Sequence, residues 1–586
     1  MRQWMVAAKK ADFYAIAEKF HVDPVVARII RNREVIGEKN IRIYLGGNLL
    51  DLSDPHQMKD MDRLVEILAQ KIRKQVRIRI IGDYDVDGVT SSHLFLTALR
   101  RVGAKVDVVI PHRIQDGYGL SLHLLQQAKE DGVDTILTCD NGIAAIDEIA
   151  WAKAQKMTVL VTDHHAVPFE EHEGRRTEKK SLADAVVNPH QQDCGYPYKE
   201  LCGAGVAWNV IRVLYENYDM DKREAEDLLD FVAMATVCDV MSLTGENRIL
   251  VKEGLKRIRH TKNIGLQALM QACNVQPENI SAYHFGYVLG PCVNATGRLD
   301  TARHALRLFE TGQETEAEEI ARDLVDLNQE RKELTLQGVE MAKKLCEEGG
   351  YENDPVLVLF LPDVHESIAG LIAGRIREMY NRPVFVLTRG EEGVKGSGRS
   401  TENYSMYENM CGCAELFTKF GGHPMAAGLS LPEENVEKFR RKINENCPLT
   451  VEEVCPDIHI DMAMPVGYAS TELVHQFALL EPFGKDNPSP LFADRNLSIS
   501  RMWVIGKNRN VLRMSVLSEY GQPVPVIFFG DVETLFAYFT EKFGQEEVEN
   551  ALHGRKNRIL FSMVYTAKID FYQGNENLQL EMKYYR

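Results

Sequence analysis

Short apolar runs alternate with helical patterns between residue 76 and about residue 190. The runs occupy 76–81, 106–110, 135–139, 158–162 and 184–188. Between them apolar residues recur three and four positions apart, as in "SSHLFLTALRRVG" at 91–103, which is the spacing of an amphipathic helix. Runs and helices that alternate in this way predict a mostly parallel sheet flanked by helices.

The pattern changes twice further along the chain. The segment 316–337 is highly charged and contains neither glycine nor proline, so it predicts a long connecting helix. A second α/β pattern begins at 355–362 with "PVLVLFLP". Beyond residue 456, five short strand-like runs accompany one helical pattern near 532–543, which predicts a small barrel such as an OB-fold.

With 586 residues the chain is too long for a single core. We therefore expect a multidomain α/β protein. The predicted parts are an N-terminal helical segment (1–65), a parallel-sheet α/β domain (66–300), a connecting helix (301–350), a smaller α/β domain (351–455) and an OB-fold-like β-barrel (456–586).

The composition is that of a globular protein, with 45% hydrophobic and 26% charged residues. No apolar run approaches the roughly 20 residues that cross a bilayer, and the first residues lack the core of a signal peptide, so we expect a soluble, cytoplasmic protein without membrane contact. The formal net charge of −16 argues against nucleic-acid binding by the whole surface and restricts such binding to local patches. The eleven cysteines are scattered without a C-x-x-C pair, which indicates neither a disulfide framework nor a zinc site.

Acidic and imidazole side chains follow three of the five apolar runs. They occur in "GDYDVDG", "CDNG" and "TDHH", and a further aspartate follows a helical pattern in "ATVCDVM". The candidates are Asp83, Asp85, Asp87, Asp140, Asp163, His164, His165 and Asp239. Because functional groups gather at the carboxyl ends of parallel strands, we expect these side chains to converge. Carboxylates this close repel each other unless a cation lies among them.

Each candidate taken alone has an ordinary explanation. Asp83 could end its strand, Asp140 could belong to a turn, His165 could be a core histidine, and Asp163 could orient its neighbours instead of binding an ion. Taken together they favour a metal site. Carboxylates with one or two imidazoles and no thiolate favour Mn²⁺ or Mg²⁺, and their number suggests two ions roughly 3.5 to 4 Å apart, which suit phosphoester hydrolysis.

The order of these motifs, followed by "GSGRS" and "GGHPMAAG", resembles the DHH phosphoesterase superfamily with its DHHA1 companion domain. More narrowly, the chain resembles the RecJ family of single-strand-specific exonucleases, whose OB-fold would correspond to the part that opens with "LEPFGKDNPSPLF". The resemblance covers nearly the whole chain. It implies two ions, Mn²⁺ or Mg²⁺, and these ligands: Asp85, Asp87, Asp140, His164 and Asp239. It also implies that Asp83 supports the site and that His165 lies near the scissile phosphate as a donor or acid.

The resemblance further implies a set of substrate contacts. They are Arg113, Tyr118, Arg298, His365, Arg375, Ser397, Arg399, Ser400 and His423. In "VKGSGRS" the flexible glycines and the guanidinium group suit contacts to a phosphate. A surface turn or a solvated helical face is the alternative for each of these residues.

The function implied is a metal-dependent 5′-to-3′ exonuclease that hydrolyses single-stranded DNA to 5′-mononucleotides in recombination and repair. Polarity, products and association with single-strand-binding protein and a helicase rest on the resemblance alone. An oligoribonuclease or small-nucleotide phosphodiesterase of the same superfamily is an alternative, although such enzymes are usually shorter and lack the barrel. A non-catalytic replication scaffold is another, and the intact ligand residues argue against it.

Overall fold

The chain folds into two compact units. The computed structural model describes residues 3–112, 116, 119–172, 175–299, 301–390, 393–506, 509–572 and 574–586. The first unit contains Leu52–Met241 and Ile249–Pro456, whereas the second combines Gln3–Asp51, Ser242–Arg248 and Asp457–Arg586. Among the described helices none is both long enough and apolar enough to cross a membrane.

A five-stranded parallel sheet forms the base of the first unit. In spatial order its strands are Lys105–Val109, Arg77–Ile81, Thr135–Cys139, Thr158–Thr162 and Ala185–Val187. The central strand Thr135–Cys139 is buried along its whole length, as expected for a parallel strand that is covered on both faces. Each strand coincides closely with one of the predicted apolar runs, which confirms the prediction of a parallel sheet.

Helices cover this sheet and extend the unit up to residue 310. They are Met61–Arg73, Val86–Arg101, Leu122–Glu130, Ile146–Ala154, Gly203–Asn217, Arg223–Glu226, Leu229–Cys238, Gly245–Ile258, Ile264–Ala272, Ala282–His284, Gly290–Leu299 and Arg303–Glu310, with a π-helix at Phe285–Leu289 and a hairpin of Phe169–His172 and Arg175–Glu178. The helix Val86–Arg101 lies deepest, and a Cβ atom on its Gly88 would come within 2.4 Å of the Asp83 carbonyl oxygen. Only glycine permits that close approach.

The predicted connecting helix spans Glu314–Glu348 and has 35 residues, which corresponds to about 52 Å. It leads to a second sheet, whose strands are, in order, Lys419–His423, Ala426–Leu431, Gly393–Arg399, Val384–Gly390 and Leu357–Phe360. The associated helices are Glu366–Tyr380, Met406–Cys411 and Val436–Glu445.

This second sheet separates two apolar cores because its side chains alternate in direction. Val384 and Val386 face one core together with Ile372 of the preceding helix Glu366–Tyr380. Phe385 and Leu387 face the other core. The smaller α/β domain predicted from the sequence is therefore present.

The second unit contains a six-stranded, mostly antiparallel sheet, a separate two-stranded parallel sheet and helices. Its strands are Trp4–Val6, Ile458–Ile460, Met462–Ala463, Phe492–Ile505, Val511–Leu517, Pro523–Phe529, Leu560–Tyr572 and Asn575–Tyr585, and its helices are Phe13–Phe20, Pro24–Asn32, Glu38–Gly46, Thr471–Phe477, Val532–Phe543 and Gln545–Leu552. The first half of Phe492–Ile505 pairs with Leu560–Tyr572 and its second half pairs with Val511–Leu517. The long strand Phe492–Ile505 therefore pairs with its neighbour Val511–Leu517 and also with Leu560–Tyr572, the strand at the far end of the sheet order.

Residues 3–51 share one core with the C-terminal part of the chain. The strand Trp4–Val6 pairs in parallel with Ile458–Ile460, and the Arg33 guanidinium contacts Asp461 with two hydrogen bonds of 2.9 and 3.1 Å. Apolar side chains of both segments, such as Ile30 and the strand residues around Phe492, belong to one cluster. The sequence pattern predicts helices in this segment without indicating where they pack.

Candidate active site

The ends of three strands and one helix bring the acidic and imidazole side chains together. Asp83 follows the strand Arg77–Ile81, Asp140 follows Thr135–Cys139 directly, and His164 follows Thr158–Thr162. Asp239 is the C-cap residue of the helix Leu229–Cys238. Convergence at the carboxyl edge of the sheet is the arrangement expected for a doubly wound α/β domain.

The ligand atoms form three overlapping groups, and within each group the atoms lie within 4.8 Å of one another. The groups are Asp83, Asp85 and Asp140; Asp87, His164 and Asp239; and Asp140, His164 and His165. The Nε2 atom of His164 lies 3.0 Å from Asp140 Oδ1 and 3.6 Å from both Asp87 Oδ2 and Asp239 Oδ2. All five predicted metal ligands, with Asp83 and His165, therefore lie in one cluster.

Burial makes this cluster electrostatically unfavourable without a cation. Burial, and then repulsion from Asp85, raises the pKa of Asp83 well above its ordinary value. Burial, followed by the charges of Asp87 and Asp85, does the same to the pKa of Asp140. Burial also lowers the pKa of His164, which favours the neutral imidazole that binds metals.

Two buried atoms of the cluster fit a metal ion directly. Among the described residues, neither Asp83 Oδ2 nor His164 Nε2 has a hydrogen-bond partner of good geometry. Buried polar atoms are rarely left unsatisfied, so both atoms suit coordination to a cation. Because the donors are carboxylate oxygens and imidazole nitrogens, Mn²⁺ and Mg²⁺ fit this set better than a thiolate-binding ion.

The start of the helix Gly203–Asn217 holds Asp87 in place. The backbone N–H groups of Gly203 and Ala204 donate to the two Asp87 oxygens over 2.6 and 2.7 Å. A Cβ atom on Gly203 would lie 2.6 Å from the Cβ atom of Asp140, so this position admits only glycine without displacement. The sequence analysis did not identify this contact, although the stretch "CGAGVAW" carries the glycines.

Asp163 orients its neighbours. Its carboxylate accepts hydrogen bonds from the backbone N–H groups of Ile143, His164 and His165, and it lies 2.8 Å from His165 Nδ1. Burial opposes protonation of His165, but the hydrogen bond and charge of Asp163 outweigh it and raise the pKa of His165 to about 9. Because 41% of the His165 side chain is exposed, this imidazole remains accessible to a substrate.

A groove opens beside the metal-site loop, with a volume of about 440 Å³. It is lined by Tyr84, which lies between two of the clustered aspartates, and by residues of the second sheet that include Lys395, Ser397, Lys419 and Phe420. Lys395 and Ser397 lie two positions apart in one strand and so point to the same face. Glu366 also lines the groove and forms an ion pair of 2.8 Å with Lys395, so the groove offers the Lys419 ammonium, this ion pair and the Ser397 hydroxyl group beside the metal-site loop.

Arg298 and Asn294, on the helix Gly290–Leu299, connect the metal-site loop to the second sheet's domain. The Asn294 Oδ1 atom accepts a hydrogen bond of 3.2 Å from the Val86 N–H group, beside the clustered aspartates. Arg298 donates through Nη1 to the Ser367 carbonyl oxygen over 2.6 Å. The helix thus fixes the position of one domain against the other within the first unit.

Arg399 and Ser400 have different surroundings. The Arg399 guanidinium donates to the Gly398 carbonyl oxygen and lies where a Cβ atom on Gly370 would meet it at 2.8 Å. Ser400 is fully buried, and its hydroxyl group donates to the Tyr404 carbonyl oxygen over 2.6 Å. Arg399 is therefore half-buried at the protein surface, whereas the Ser400 side chain is engaged inside the domain.

The remaining predicted substrate contacts do not line the groove or lie outside the described residues. His365 is exposed and accepts a hydrogen bond as the N-cap of the helix that follows it. Arg375 is exposed on that helix, 3.6 Å from Glu378. His423 is exposed at the end of its strand. Arg113 and Tyr118 lie outside the described residues.

Three family models match the chain in succession. They are the DHH family N-terminal domain at 77–236, the DHHA1 domain at 353–447 and the RecJ OB domain at 460–584. These ranges lie inside the predicted domains 66–300, 351–455 and 456–586. The limits proposed for those domains remain predictions.

Curated relatives match over much of the chain. The protein is 32% identical to the single-stranded-DNA-specific exonuclease RecJ of Haemophilus influenzae, over 96% of each chain. It is also 32% identical to the RecJ of Escherichia coli, over 95% of each chain. The RecJ of Bacillus subtilis is 33% identical over 87% of this chain, but the match spans only 63% of that relative's length.

Solved structures show the same fold. The crystal structure of RecJ from Thermus thermophilus in complex with Mn²⁺ superposes with a TM-score of 0.81 and 25% sequence identity. That match covers all of this chain and 79% of the other. A crystal structure of an exonuclease RecJ bound to manganese is 32% identical, with a TM-score of 0.56, over 66% of this chain and 94% of that one.

Proposed function

Because the chain belongs to the RecJ family of single-stranded-DNA-specific exonucleases, we propose that it hydrolyses single-stranded DNA from one end with Mn²⁺ or Mg²⁺ as its cofactor. The observation that carries this proposal is the continuity of the metal cluster with a groove lined by Lys395, Lys419 and Glu366. Tyr84 belongs to the metal-site loop and also lines that groove. A strand bound along the groove would therefore present a phosphodiester to the cluster.

The proposed ion-binding residues are those of the cluster, namely Asp85, Asp87, Asp140, His164 and Asp239, with Asp83 supporting them. Two ions held there would activate water and neutralise charge on the phosphate oxygens. Hydrolysis that releases 5′-mononucleotides breaks the bond between phosphorus and O3′. The pKa of His165 is raised to about 9 by Asp163, and its imidazole is partly exposed, so we assign it the transfer of a proton to the departing O3′.

We assign recognition of the terminal phosphate to cations of the groove and its margin. Lys395, Ser397 and Lys419 line the groove, and Arg298 contacts Ser367, another lining residue. Arg399 lies on the same strand face as Lys395 and Ser397. Guanidinium and ammonium groups bind phosphate through charge-assisted hydrogen bonds, which suits the capture of a terminal phosphate. The 5′-to-3′ polarity of the proposed reaction rests on membership of the family.

Of the alternatives, a small-substrate phosphodiesterase or oligoribonuclease is disfavoured by the RecJ OB domain model, which matches 460–584. A scaffold without catalysis is disfavoured because the complete ligand cluster is assembled. A role in recombination and repair, in the cytoplasm and beside single-strand-binding protein and a helicase, belongs to the proposal and rests on membership of the family.

The first experiment is digestion of a long single-stranded DNA labelled separately at its 5′ and 3′ ends. Reactions contain Mn²⁺, Mg²⁺ or a chelator, with the matching duplex and a dinucleotide as controls. We expect early, metal-dependent release of the 5′ label as a mononucleotide from the single strand alone. Earlier release of the 3′ label would overturn the polarity, and preference for the dinucleotide would place the enzyme among the small-substrate phosphodiesterases.

A further inference from the structure

A second cavity, of about 960 Å³, lies within the first unit. None of the residues of the metal cluster or of the groove lines it. Its walls come from the end of the helix Val86–Arg101, the start of Leu229–Cys238, the start of Ile264–Ala272 and the end of Arg303–Glu310. The proposed exonuclease reaction assigns no role to this space, which we call the basic cavity.

The floor of the basic cavity combines aromatic rings with buried polar groups. His93 is 5% exposed, and its ring centroid lies 4.5 Å from that of Phe231 and 5.8 Å from that of Phe309. Its Nδ1 atom is buried and has no hydrogen-bond partner among the described residues. Asp230 is 3% exposed and accepts a hydrogen bond of 2.6 Å from the Thr261 hydroxyl group. An unpartnered nitrogen in such a floor points to a polar ligand atom.

The walls carry an excess of positive charge, although the whole chain has a net charge of −16. The cationic lining residues are Arg100, Arg101, Arg223, Lys256, Arg257 and Lys262, and the acidic ones are Glu226, Asp227, Asp230 and Glu310. Arg257 and Lys262 are paired with Glu226 and Asp227.

Two of these cations remain available to a ligand. Arg100 and Arg223 are exposed and make no ion pair within the described part of the chain. The N-termini of the helices Leu229–Cys238 and Ile264–Ala272 also border the cavity, and the positive ends of their helix dipoles favour an anion. The free arginines and the orientation of the two helices therefore both favour an anionic ligand.

We propose that the basic cavity binds a nucleoside phosphate. The aromatic floor with the unpartnered His93 nitrogen takes the base, and Arg100 and Arg223 take the phosphate. The volume is within the range of small-molecule sites, which is about 300 to 1,000 Å³. Such a ligand could be a deoxynucleoside monophosphate, the product of the proposed reaction, or a ribonucleotide from the cell.

Two helices connect this cavity directly to the metal cluster. Val86–Arg101 begins beside Asp85 and ends at Arg100, whereas Leu229–Cys238 begins at the cavity and ends at Asp239. The two helices pack against each other. Helices move as rigid elements. A nucleotide that shifts the cavity ends of these two helices therefore also shifts the metal-binding residues Asp85 and Asp239 at their other ends. Occupancy therefore regulates turnover, and this part of the inference rests on the proposed function.

The test begins with binding, which requires no cleavage. The full chain is dialysed to equilibrium against dGMP, GMP, GTP, deoxyguanosine or inorganic phosphate. A chelator is present, so that the metal cluster cannot bind the nucleotide through an ion. We expect saturable binding of nucleotides, and the comparison of dGMP with GMP and GTP distinguishes product from ribonucleotide. Absence of saturable binding for all three nucleotides overturns the proposal.

Variants locate the bound nucleotide. Arg100→Ala and Arg223→Ala each remove one charge-assisted contact, so each weakens binding by about tenfold or more. Arg259→Ala is the matched control, because Arg259 is an exposed arginine next to the lining residue His260 but does not itself line the cavity. Equal loss in all three variants, or in none, overturns the assignment of the site. Circular dichroism verifies that each variant is folded.

Regulation is tested by exonuclease rates with and without the nucleotide that binds best. We expect the rate of the unchanged protein to respond, and we expect Arg223→Ala to keep its basal rate and lose the response. A rate that ignores a bound nucleotide overturns the regulation while the binding site stands. If no DNA is cleaved under any condition, the proposed function fails, and the dialysis result still decides the basic cavity.

Discussion

Asp140 and His164 each belong to two of the three ligand groups, so they connect the parts of the metal cluster. The backbone of Asp140 has a φ of +62°, a left-handed conformation that is uncommon outside glycine, asparagine and aspartate. Strained backbone of this kind is kept where the surrounding structure enforces it, often at functional sites. The turn after the strand therefore directs the Asp140 carboxylate toward both His164 and the aspartates of the first loop.

Removing this carboxylate should abolish cleavage and leave DNA binding intact. We expect Asp140→Ala to lower kcat by about a thousandfold or more, because an ion that stabilises transition-state charge contributes several kcal/mol. Asp87→Ala should behave alike. Cleavage rates and filter binding of labelled DNA measure the two properties separately. Asp363→Ala, at an exposed aspartate of the second domain, is the control, and near-normal turnover of Asp140→Ala would exclude the metal assignment.

Arg399 should contribute to the binding of single-stranded DNA and not to the rate of phosphodiester cleavage. Replacing it with alanine removes one phosphate contact, so KM for single-stranded DNA should rise while kcat changes little. The slope of log KM against log salt concentration should become shallower by about 0.7, because one fewer counterion is released on binding. Arg399→Lys keeps the charge and should restore the salt slope. An unchanged KM in Arg399→Ala would show that this guanidinium does not contact the DNA.

At the scale of elements, the start of the helix Gly203–Asn217 determines the geometry of the cluster. Its first two N–H groups bind Asp87, and its first residue touches Asp140. One helix terminus thus positions two carboxylates, Asp87 in the first turn of the helix Val86–Arg101 and Asp140 after the strand Thr135–Cys139. The partial positive charge at this terminus also stabilises the negative charge on Asp87.

We expect Gly203→Ala to weaken metal binding while the fold persists. The new Cβ atom would lie 2.6 Å from Asp140 Cβ, so the helix start and the carboxylate must separate. The Mn²⁺ concentration required for half-maximal activity should rise by about tenfold. Gly205→Ala is the matched control, because its nearest contact, with Leu201, is 3.4 Å. Identical Mn²⁺ dependence in both variants would contradict this account.

The helix Val86–Arg101 makes stability depend on pH through His93. Burial, followed by the charges of Arg100 and Arg101, lowers the pKa of His93 from 6.5 to about 3. The unfolded chain therefore binds this proton below pH 6.5 and the folded chain does not, so stability is lost as the pH falls from 6.5 toward 3. Asp230, whose pKa burial raises to about 6, acts in the opposite direction.

The consequence can be measured with His93→Gln, which removes only the titrating group. From pH 7.5 to pH 5, His93 should contribute a loss of about 2 kcal/mol in the unchanged protein. The thermal midpoint of His93→Gln should therefore fall less over this interval. Equal falls in the two proteins would mean that His93 is protonated in the folded state.

At the scale of the whole molecule, ion binding should stabilise the first unit. Ions that bind the folded cluster and not the unfolded chain raise stability, by about 2.7 kcal/mol at a hundred times the dissociation constant. We expect Mn²⁺ to raise the lower thermal transition of the protein relative to chelator. Asp87→Ala should show a much smaller increase. An identical increase in that variant would place the stabilising ion elsewhere.

The sequence predicted those parts of the molecule that are encoded locally. The parallel strands are continuous apolar runs, and Asp140 and His164 stand at their ends, so both the sheet and the cluster could be inferred. The contact of Gly203 with Asp87 could not, since more than a hundred residues separate the partners. Ser400 illustrates a similar limit, because a serine in a glycine-rich turn does not reveal whether its hydroxyl group faces a ligand or a backbone carbonyl.

The shared core of residues 3–51 and 457–586 has a consequence for biosynthesis. The N-terminal helices leave the ribosome first, but the strands that cover their apolar side chains follow more than 400 residues later. Because synthesis adds about 5 to 20 residues per second, roughly 20 to 80 s pass between the emergence of these helices and that of the strands that cover them. During that interval Val26, Ile29 and Ile30 have no native core, so the nascent chain should require a chaperone at these helices until the strands of 457–586 have emerged.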